Sequence, residues 1–165
     1  TSEIDAKAGP VLELGAGTGV FTSELLAKGV PAADIHVVEI DEGFAARLAA
    51  RFPGIAVLVG DATGLSSGRS PLPRDFGSAI SGLPILSMSP SAQMRVIGGT
   101  FRHLRPGGAL YQFTYGPRCP VVPTVLERLD LRADRIGGVL RNLPPASVYR
   151  IARRDDHRFR APVAA

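Results

Sequence analysis

The sequence predicts an α/β fold whose doubly wound sheet is mainly parallel and carries an antiparallel strand at one edge. Three observations support this prediction. Short apolar runs alternate with helical periodicity between Val11 and Thr114, which is typical of strands joined by right-handed helical crossovers. A glycine-rich turn follows the first run, and acidic residues end the next two. Prolines and two further apolar runs then replace this alternation.

The elements follow from the apolar pattern and its breakers. Five strands are predicted at residues 11–14, 35–40, 55–59, 76–81 and 109–114. Helices are predicted at 18–28, 42–51 and 91–104, and Pro-Gly sequences end the last two. Residues 64–75 are predicted to form a loop. After Thr114, prolines break the chain, one or two helical turns fit 124–129, and strands at 131–140 and 147–152 form a closing antiparallel pair.

Length and composition indicate one domain, residues 1–165, with a real hydrophobic core. The chain is 45% hydrophobic and 21% charged. A single cysteine, Cys119, excludes an internal disulfide and fits a reducing compartment. No apolar run approaches the roughly 18–20 residues of a membrane-spanning helix. Residues 153–165 are polar and are expected to form a flexible tail.

The charge is distributed unevenly along the chain. Residues 1–100 carry 7 basic and 10 acidic side chains, whereas residues 101–165 carry 12 and 5. Nearly all the cations are arginine, whose planar guanidinium suits phosphate groups. This favours an anionic partner, either nucleic acid or phospholipid headgroups. The alternative is that the arginines only cover solvated surfaces.

The glycine turn, Gly15-Ala16-Gly17-Thr18-Gly19, indicates a nucleotide site. Glycine suits backbone that takes a positive φ or passes close to a ligand. The dinucleotide fingerprint G-x-G-x-x-G requires its third glycine where this chain has Val20. The spacing therefore argues against an NAD-linked oxidoreductase.

The run from Glu13 to Gly19 resembles motif I of class I S-adenosylmethionine (SAM) methyltransferases, which have a Rossmann-like fold. Glu39 ends the second strand beside the glycine turn, where a carboxylate accepts ribose hydroxyls. By the resemblance, Asp61 lies beside the adenine amino group. Singly, these acids could be turn residues or helix caps. Together they predict SAM as the cofactor, bound by Glu13, Gly15, Ala16, Gly17, Gly19, Glu39, Ile40, Asp61, Ala62 and Ser81.

The methyl acceptor is expected at the end of the fourth strand, Ser81-Gly82-Leu83-Pro84-Ile85. Enzymes that methylate a base amine carry Asn or Asp where this chain has Ser81, and an aromatic residue where it has Ile85. The chain is similar instead to bacterial phospholipid N-methyltransferases, which convert phosphatidylethanolamine to phosphatidylcholine. The resemblance spans nearly all of residues 10–152, and its most distinctive segments are 112–118 and 141–149. The N-terminal amphipathic helix of that family is expected to be missing.

The resemblance and the chemistry of amine methylation together suggest roles for the acceptor residues. Ser81 and Tyr115 are the catalytic candidates, as groups that accept a proton from the amine. Aromatic faces bind methylated ammonium groups, and Arg118 suits the phosphodiester. The predicted substrate-binding residues are Gly82, Leu83, Tyr115, Arg118, Asn142 and Tyr149. Alternatively, Tyr115 belongs to the core, Asn142 is a turn amide, and Tyr149 packs at the sheet edge.

The resemblance implies an enzyme at the cytoplasmic face of the bacterial membrane, with a surface of anionic and zwitterionic phospholipids as its partner and no DNA. The chain also resembles rRNA adenine dimethyltransferases, so an RNA methyltransferase is the alternative. A non-catalytic domain that keeps the fold is a third possibility. The three histidines are not spaced for a metal site, and none is predicted.

Overall fold

A computed structural model describes residues 9–139 and 146–155. Seven strands form one sheet: β1 (Val11–Leu14), β2 (Ile35–Glu39), β3 (Ala56–Val59), β4 (Phe76–Ser81), β5 (Leu104–Tyr115), β6 (Leu131–Val139) and β7 (Ala146–Arg153). Four α-helices accompany them: α1 (Val20–Ala27), α2 (Glu42–Arg51), α3 (Pro90–His103) and α4 (Pro123–Arg128). Short 3₁₀ helices span Ala32–Asp34, Ala62–Ser67 and Ile85–Ser87.

The strand order is β3-β2-β1-β4-β5-β7-β6. The pairs among β1 to β5 are all parallel, whereas β7 runs antiparallel to both β5 and β6. The predicted α/β class, the mainly parallel sheet and its antiparallel edge are therefore confirmed. The order reverses between β1 and β4, and the carboxyl ends of β1 to β5 meet there along one edge. Ligands bind at such a switch point in doubly wound sheets.

Two apolar layers cover the faces of the sheet. On one face, side chains from α3, α4 and the 62–67 turn pack on the strands, with Ile97 and Leu110 fully buried. On the other face α1 and α2 contribute Leu25 and Leu48, which pack with Val37. Side chains alternate along each strand, so each strand supplies both layers. Burial on both faces explains why the strands are almost continuously apolar.

Local sequence signals set the helix starts. The Asp41 carboxylate accepts the Phe44 N–H at 2.8 Å and so caps α2. Ser89 caps α3, and Pro90 occupies the first helical position, where no N–H is needed. None of the helices in residues 9–139 or 146–155 is long and apolar enough to cross a membrane.

One predicted strand boundary is wrong. β5 begins at Leu104 and not at residue 109, because Leu104 pairs with Phe76 before the ladder resumes at Ser78 and Ala109. The Pro-Gly-Gly sequence, read as a helix terminator, forms the irregularity within this strand. Other predicted boundaries lie within two residues of those observed. Arg153, assigned to the tail, still belongs to β7 and donates to the Phe101 carbonyl.

Candidate active site

The glycine loop joins β1 to α1 at the carboxyl edge of the sheet. Gly15, Gly17 and Gly19 all have left-handed φ angles, of 67°, 53° and 80°. A Cβ at Gly15 would lie 2.6 Å from Leu83 Cδ2, so the loop lies against the segment after β4. A Cβ at Gly19 would collide with Leu48 and Phe52, which makes Gly19 a packing residue. Nothing lies within 4 Å of the same point on Gly17, so that side of the loop is open.

Glu39, at the end of β2, is bound directly to the glycine loop. Its Oε2 accepts the Gly17 N–H at 2.9 Å, and its Oε1 accepts the Asp41 N–H at 3.0 Å. Each carboxylate oxygen can accept a second hydrogen bond. Glu39 is 5% exposed, and its two hydrogen bonds fix the position of the carboxylate. Its remaining lone pairs are available to a ligand hydroxyl.

Glu13 lies deeper, in the middle of β1. Its Oε2 accepts a 2.7 Å hydrogen bond from Thr22 Oγ1, and its buried Oε1 has no partner in the structure. Burial raises the pKa of Glu13 to about 7, and Glu39 adds a smaller effect in the same direction. An orphaned buried carboxylate oxygen under a glycine loop suits a cationic or hydrogen-bonding ligand.

Asp61 follows β3 and begins the 62–67 turn. Its two oxygens accept from the backbone N–H and the hydroxyl of Thr63, at 2.8 and 2.7 Å. These hydrogen bonds lower the pKa of Asp61, with the backbone bond as the larger cause. Asp61 is therefore a capping residue, as one sequence-based alternative proposed, and it also lies on a cavity wall.

The predicted cofactor residues from three strands meet in one cavity of about 240 Å³. It is lined by Gly15, Val38, Glu39, Ile40, Gly60, Asp61, Ala62, Leu83, Pro84 and Met88. We call it the donor cavity. Five predicted cofactor residues are on its wall, whereas Glu13, Ala16, Gly17, Gly19 and Ser81 are not. Ile40 is 66% exposed beside it, as a side chain that covers a flat ring would be.

A second cavity of about 200 Å³ lies between the ends of β4 and β5. It is lined by Gly82, Leu83, Pro84, Ile85, Leu86, Ser87, Phe113, Thr114 and Tyr115. We call it the acceptor cavity. The Phe113 ring lies 5.9 Å from that of Phe21 and 5.2 Å from that of Tyr115, centroid to centroid. Leu83 and Pro84 line both cavities, so a two-residue wall separates them.

The predicted acceptor residues are only partly brought together. Gly82, Leu83 and Tyr115 line the acceptor cavity. Ser81 lines neither cavity, and its hydroxyl accepts from the Leu83 N–H at 3.3 Å, so its position supports the turn and not the chemistry. Arg118 is exposed three residues beyond Tyr115 and lines no cavity described above. Asn142 lies outside the described residues.

Tyr149 has a structural position on β7. Tyr149 is 6% exposed, and its hydroxyl donates to the Pro117 carbonyl. Because β7 lies between β5 and the edge strand β6, Tyr149 packs one strand inside the edge that the alternative named. Through this bond it holds the segment between Tyr115 and Arg118 against β7.

Sequence reasoning missed two buried glutamines. Gln112 Nε2 donates to the carbonyls of Leu83 and Phe113, at 3.0 and 2.7 Å, and so supports the wall between the cavities. Gln93 Nε2 donates to Ile85, and its Oε1 accepts the Val122 N–H, both at 2.9 Å. A polar residue inside an apolar strand was the available signal for Gln112. Gln93 gave none, because its partners are distant in sequence.

Other reactive side chains play no part in this geometry. Burial raises the pKa of the Cys119 thiol, which makes it a poorer nucleophile. Burial is also the main cause that lowers the pKa of His36. In the part of the chain that the structure describes, no group of His, Cys, Asp or Glu side chains is arranged to hold a metal ion.

The donor cavity fits SAM. Glu39 offers acceptor sites for ribose hydroxyls, the backbone of Gly15 forms part of the wall, and Asp61 lies at the side of β3. Gly15, Glu39 and Asp61 would hold the methionine, ribose and adenine portions respectively, with Ile40 against the ring. This cofactor supplies an electrophilic methyl group on a sulfonium sulfur.

Comparison with known proteins agrees with this geometry. Residues 11–108 match the family model described as a methyltransferase domain. An ornithine lipid N-methyltransferase from Singulisphaera acidiphila is 34% identical over 148 residues, which cover 84% of this chain and 73% of that protein.

Solved structures share the fold at low sequence identity. A TehB-like SAM-dependent methyltransferase from Corynebacterium glutamicum superposes with a TM-score of 0.67 at 14% identity, over 89% of this chain and 81% of that one. The glycopeptide N-methyltransferase MtfA in complex with sinefungin gives 0.66 at 15% identity, over 88% and 86%. The family match, the relative and the site together show that this chain belongs to the methyltransferase domain family and is a class I SAM-dependent methyltransferase.

Proposed function

We propose that this methyltransferase acts on the amine of phosphatidylethanolamine and of its methylated derivatives, giving phosphatidylcholine. The observation that carries the proposal is the acceptor cavity, which shares Leu83 and Pro84 with the donor cavity. Its described lining has no charged side chain and two aromatic rings, Phe113 and Tyr115. An uncharged, aromatic cavity next to the methyl donor suits an amine that becomes more cationic as it is methylated.

The uncharged lining addresses the first chemical requirement, removal of a proton from the amine. An alkylammonium group has a pKa near that of lysine, about 10.4 in water. Transfer into an apolar cavity disfavours the charged form and so lowers that pKa. Tyr115 lines the cavity, and a phenol oxygen can accept an N–H hydrogen bond from the amine. The nitrogen lone pair is then available for an in-line attack.

The aromatic rings address the second requirement, retention of the product between cycles. Each methyl transfer leaves a bulkier ammonium cation. The faces of Phe113 and Tyr115 stabilise such cations by about 0.5–2 kcal/mol per ring. The edge-to-face contact between the two rings fixes their orientation before the substrate enters.

Headgroup recognition is assigned to Arg118. It follows Tyr115 on a segment bound through Pro117 to Tyr149, so its backbone is held near the cavity mouth. A guanidinium group can bind the phosphodiester by two parallel hydrogen bonds. As a phospholipid enzyme, the protein would work at the cytoplasmic face of the membrane.

An ornithine lipid is the second candidate acceptor. The relative from Singulisphaera acidiphila that is 34% identical carries that substrate in its name. Such a lipid also offers an amine for methylation, but it has no phosphodiester for Arg118. RNA adenine is the third candidate, and the absence of Asn or Asp at Ser81 and of an aromatic residue at Ile85 counts against it.

The deciding experiment incubates the protein with methyl-labelled SAM and, in parallel, with vesicles of phosphatidylethanolamine, vesicles of ornithine lipid, and rRNA. We expect label in the mono-, di- and trimethylated products of phosphatidylethanolamine. Label only in ornithine lipid would show that the acceptor is a lipid amine other than that of phosphatidylethanolamine. Label only in RNA would overturn the proposal.

A further inference from the structure

Exposed apolar side chains are concentrated at one edge of the protein. The large hydrophobic side chains that are exposed in residues 9–139 and 146–155 are Val20, Ile40, Val59, Leu86 and Tyr115. Each lies at or just after the carboxyl end of one of the five strands β1 to β5. The amino-end edge has no such side chain within the described residues. A one-sided distribution of this kind is typical of an interaction surface.

Three of these side chains lie on the half of the edge that contains the acceptor cavity. Val20 begins α1 and is 62% exposed. Its neighbour Phe21 contacts Phe113, which contacts Tyr115 at the mouth of the acceptor cavity. Leu86, 68% exposed, lies across that cavity from them. We call Val20, Leu86 and Tyr115 the apolar strip.

Arginines flank the strip at both ends. Arg47 and Arg51 of α2 line a cavity of about 400 Å³ against Gly17 and Thr18, just before Val20. Neither guanidinium forms an ion pair with an acidic side chain in the described residues. The Arg47 guanidinium carbon lies 4.6 Å from the Phe44 ring centroid, so the guanidinium stacks over that ring. Arg118 follows Tyr115 at the other end, also without an acidic partner in that part of the chain.

Acidic side chains lie on the other half of the same edge. Glu39 and Asp61 line the donor cavity, on the side of β2 and β3. Asp41 and Glu42 begin α2, whose later turns carry Arg47 and Arg51. Ile40 and Val59 belong to that half. Neither the acceptor cavity nor the arginine cavity has an acidic side chain among its described lining. The charge pattern therefore favours contact between an anionic surface and the half that contains the strip.

We propose that the apolar strip and its flanking arginines dock this protein on an anionic phospholipid bilayer, with the mouth of the acceptor cavity facing the membrane. The inference rests on the proposed lipid substrate and names the surface that reaches it. Val20 and Leu86 would enter the headgroup region, while Arg47, Arg51 and Arg118 contact phosphates. A lipid amine could then enter the cavity without leaving the bilayer.

The test measures vesicle binding by flotation, with phosphatidylcholine vesicles that do or do not contain phosphatidylglycerol. We expect binding to the anionic vesicles that weakens with salt. The double variant Val20→Ser/Leu86→Ser should reduce the partition coefficient about tenfold or more. Its matched control is Ile40→Ser/Val59→Ser, which removes two exposed apolar side chains from the acidic half of the edge and should bind as wild type.

A second pair of variants tests the charges. Arg47→Ala/Arg118→Ala should weaken binding about fivefold for each arginine removed. Arg74→Ala/Arg128→Ala removes the same charge from exposed positions outside the strip and should have a much smaller effect. Equal losses in both charge pairs, or in both apolar pairs, would overturn the proposed orientation. Sedimentation measures whether the chain associates with itself. If the strip variant loses self-association while vesicle binding is unchanged, the strip contacts a second copy of the chain and the membrane-docking proposal is overturned.

Thermal unfolding and circular dichroism of each variant show whether it is folded. Labelling of phosphatidylethanolamine separates this proposal from the proposed function. If the strip variant fails to float and no lipid is labelled by the wild type, docking stands and the acceptor is wrong. If all variants float equally and the lipid is labelled, the acceptor stands and the docking surface is wrong.

Discussion

Glu39 Oε2 accepts the backbone N–H of Gly17 at 2.9 Å, although the two residues are 22 positions apart. This hydrogen bond ties the end of β2 to the glycine loop after β1. Since hydrogen bonds to a charged group contribute roughly 1.5–3 kcal/mol, Glu39 sets the shape of the loop as well as facing the donor cavity. Its carboxylate therefore links cofactor recognition to local stability.

Substitution of Gly17 tests whether SAM needs the open space beside this residue, once the effect of backbone strain on stability has been subtracted. Gly17→Ala and Gly29→Ala both place a methyl group at a left-handed residue, with φ angles of 53° and 85° and open space around each Cβ. Both should lose about 1 kcal/mol of unfolding free energy. Only Gly17→Ala should lower SAM affinity, by about tenfold or more, measured by calorimetric titration. Equal affinity in both variants would exclude Gly17 from the cofactor site.

Glu13 should make the protein less stable as the pH rises. Its pKa is about 7 in the folded state against 4.5 for the ordinary side chain. The folded state therefore binds the extra proton between these values, and the stabilisation is present at low pH and lost as the pH rises through 7. Glu13→Gln removes this titration, so its unfolding free energy relative to wild type should increase by about 3 kcal/mol between about pH 5 and pH 8. Denaturant unfolding at several pH values measures the difference. Parallel pH profiles for the two proteins would contradict the raised pKa.

Tyr115 and Arg118 should affect the acceptor and not the donor. Tyr115→Phe removes the phenol oxygen that accepts from the amine, and Arg118→Ala removes the proposed phosphate contact. We expect each to reduce kcat/KM for phosphatidylethanolamine by about tenfold to a hundredfold, while SAM affinity stays within about twofold. Arg128→Ala, an exposed arginine on α4, is the control. An equal loss of SAM affinity would mean that the residues only support the fold.

Gln93 should act as a positioning residue for the acceptor cavity. Gln93→Leu leaves the Val122 N–H without its partner and removes one of two hydrogen bonds to the Ile85 carbonyl, which keeps that from the Met88 N–H. The change should cost about 1–3 kcal/mol of unfolding free energy. We expect a raised KM for the lipid with little change in SAM affinity. Thr100→Val, on the same helix, removes only a bond to the Val96 carbonyl and serves as the control. If the KM for the lipid is unchanged in Gln93→Leu, Gln93 contributes to stability and does not position the acceptor cavity.

The donor side could be predicted from sequence because its signals are local. Gly15, Glu39 and Asp61 each follow directly on an apolar strand, and parallel strands bring their carboxyl ends together. The acceptor side depends on contacts between distant segments. The bonds from Gln112 to Leu83 and from Tyr149 to Pro117 join residues about 30 positions apart. No spacing rule predicts such contacts.

The wall formed by Leu83 and Pro84 has an evolutionary consequence. Residues from 15 to 62 supply most of the donor cavity, and the stretch from 82 to 118 contains the whole described acceptor cavity and Arg118. The two specificities are thus encoded in successive stretches of the gene. A chimera that exchanged only the second stretch for that of a relative would inherit a new methylation target and keep its original methyl source.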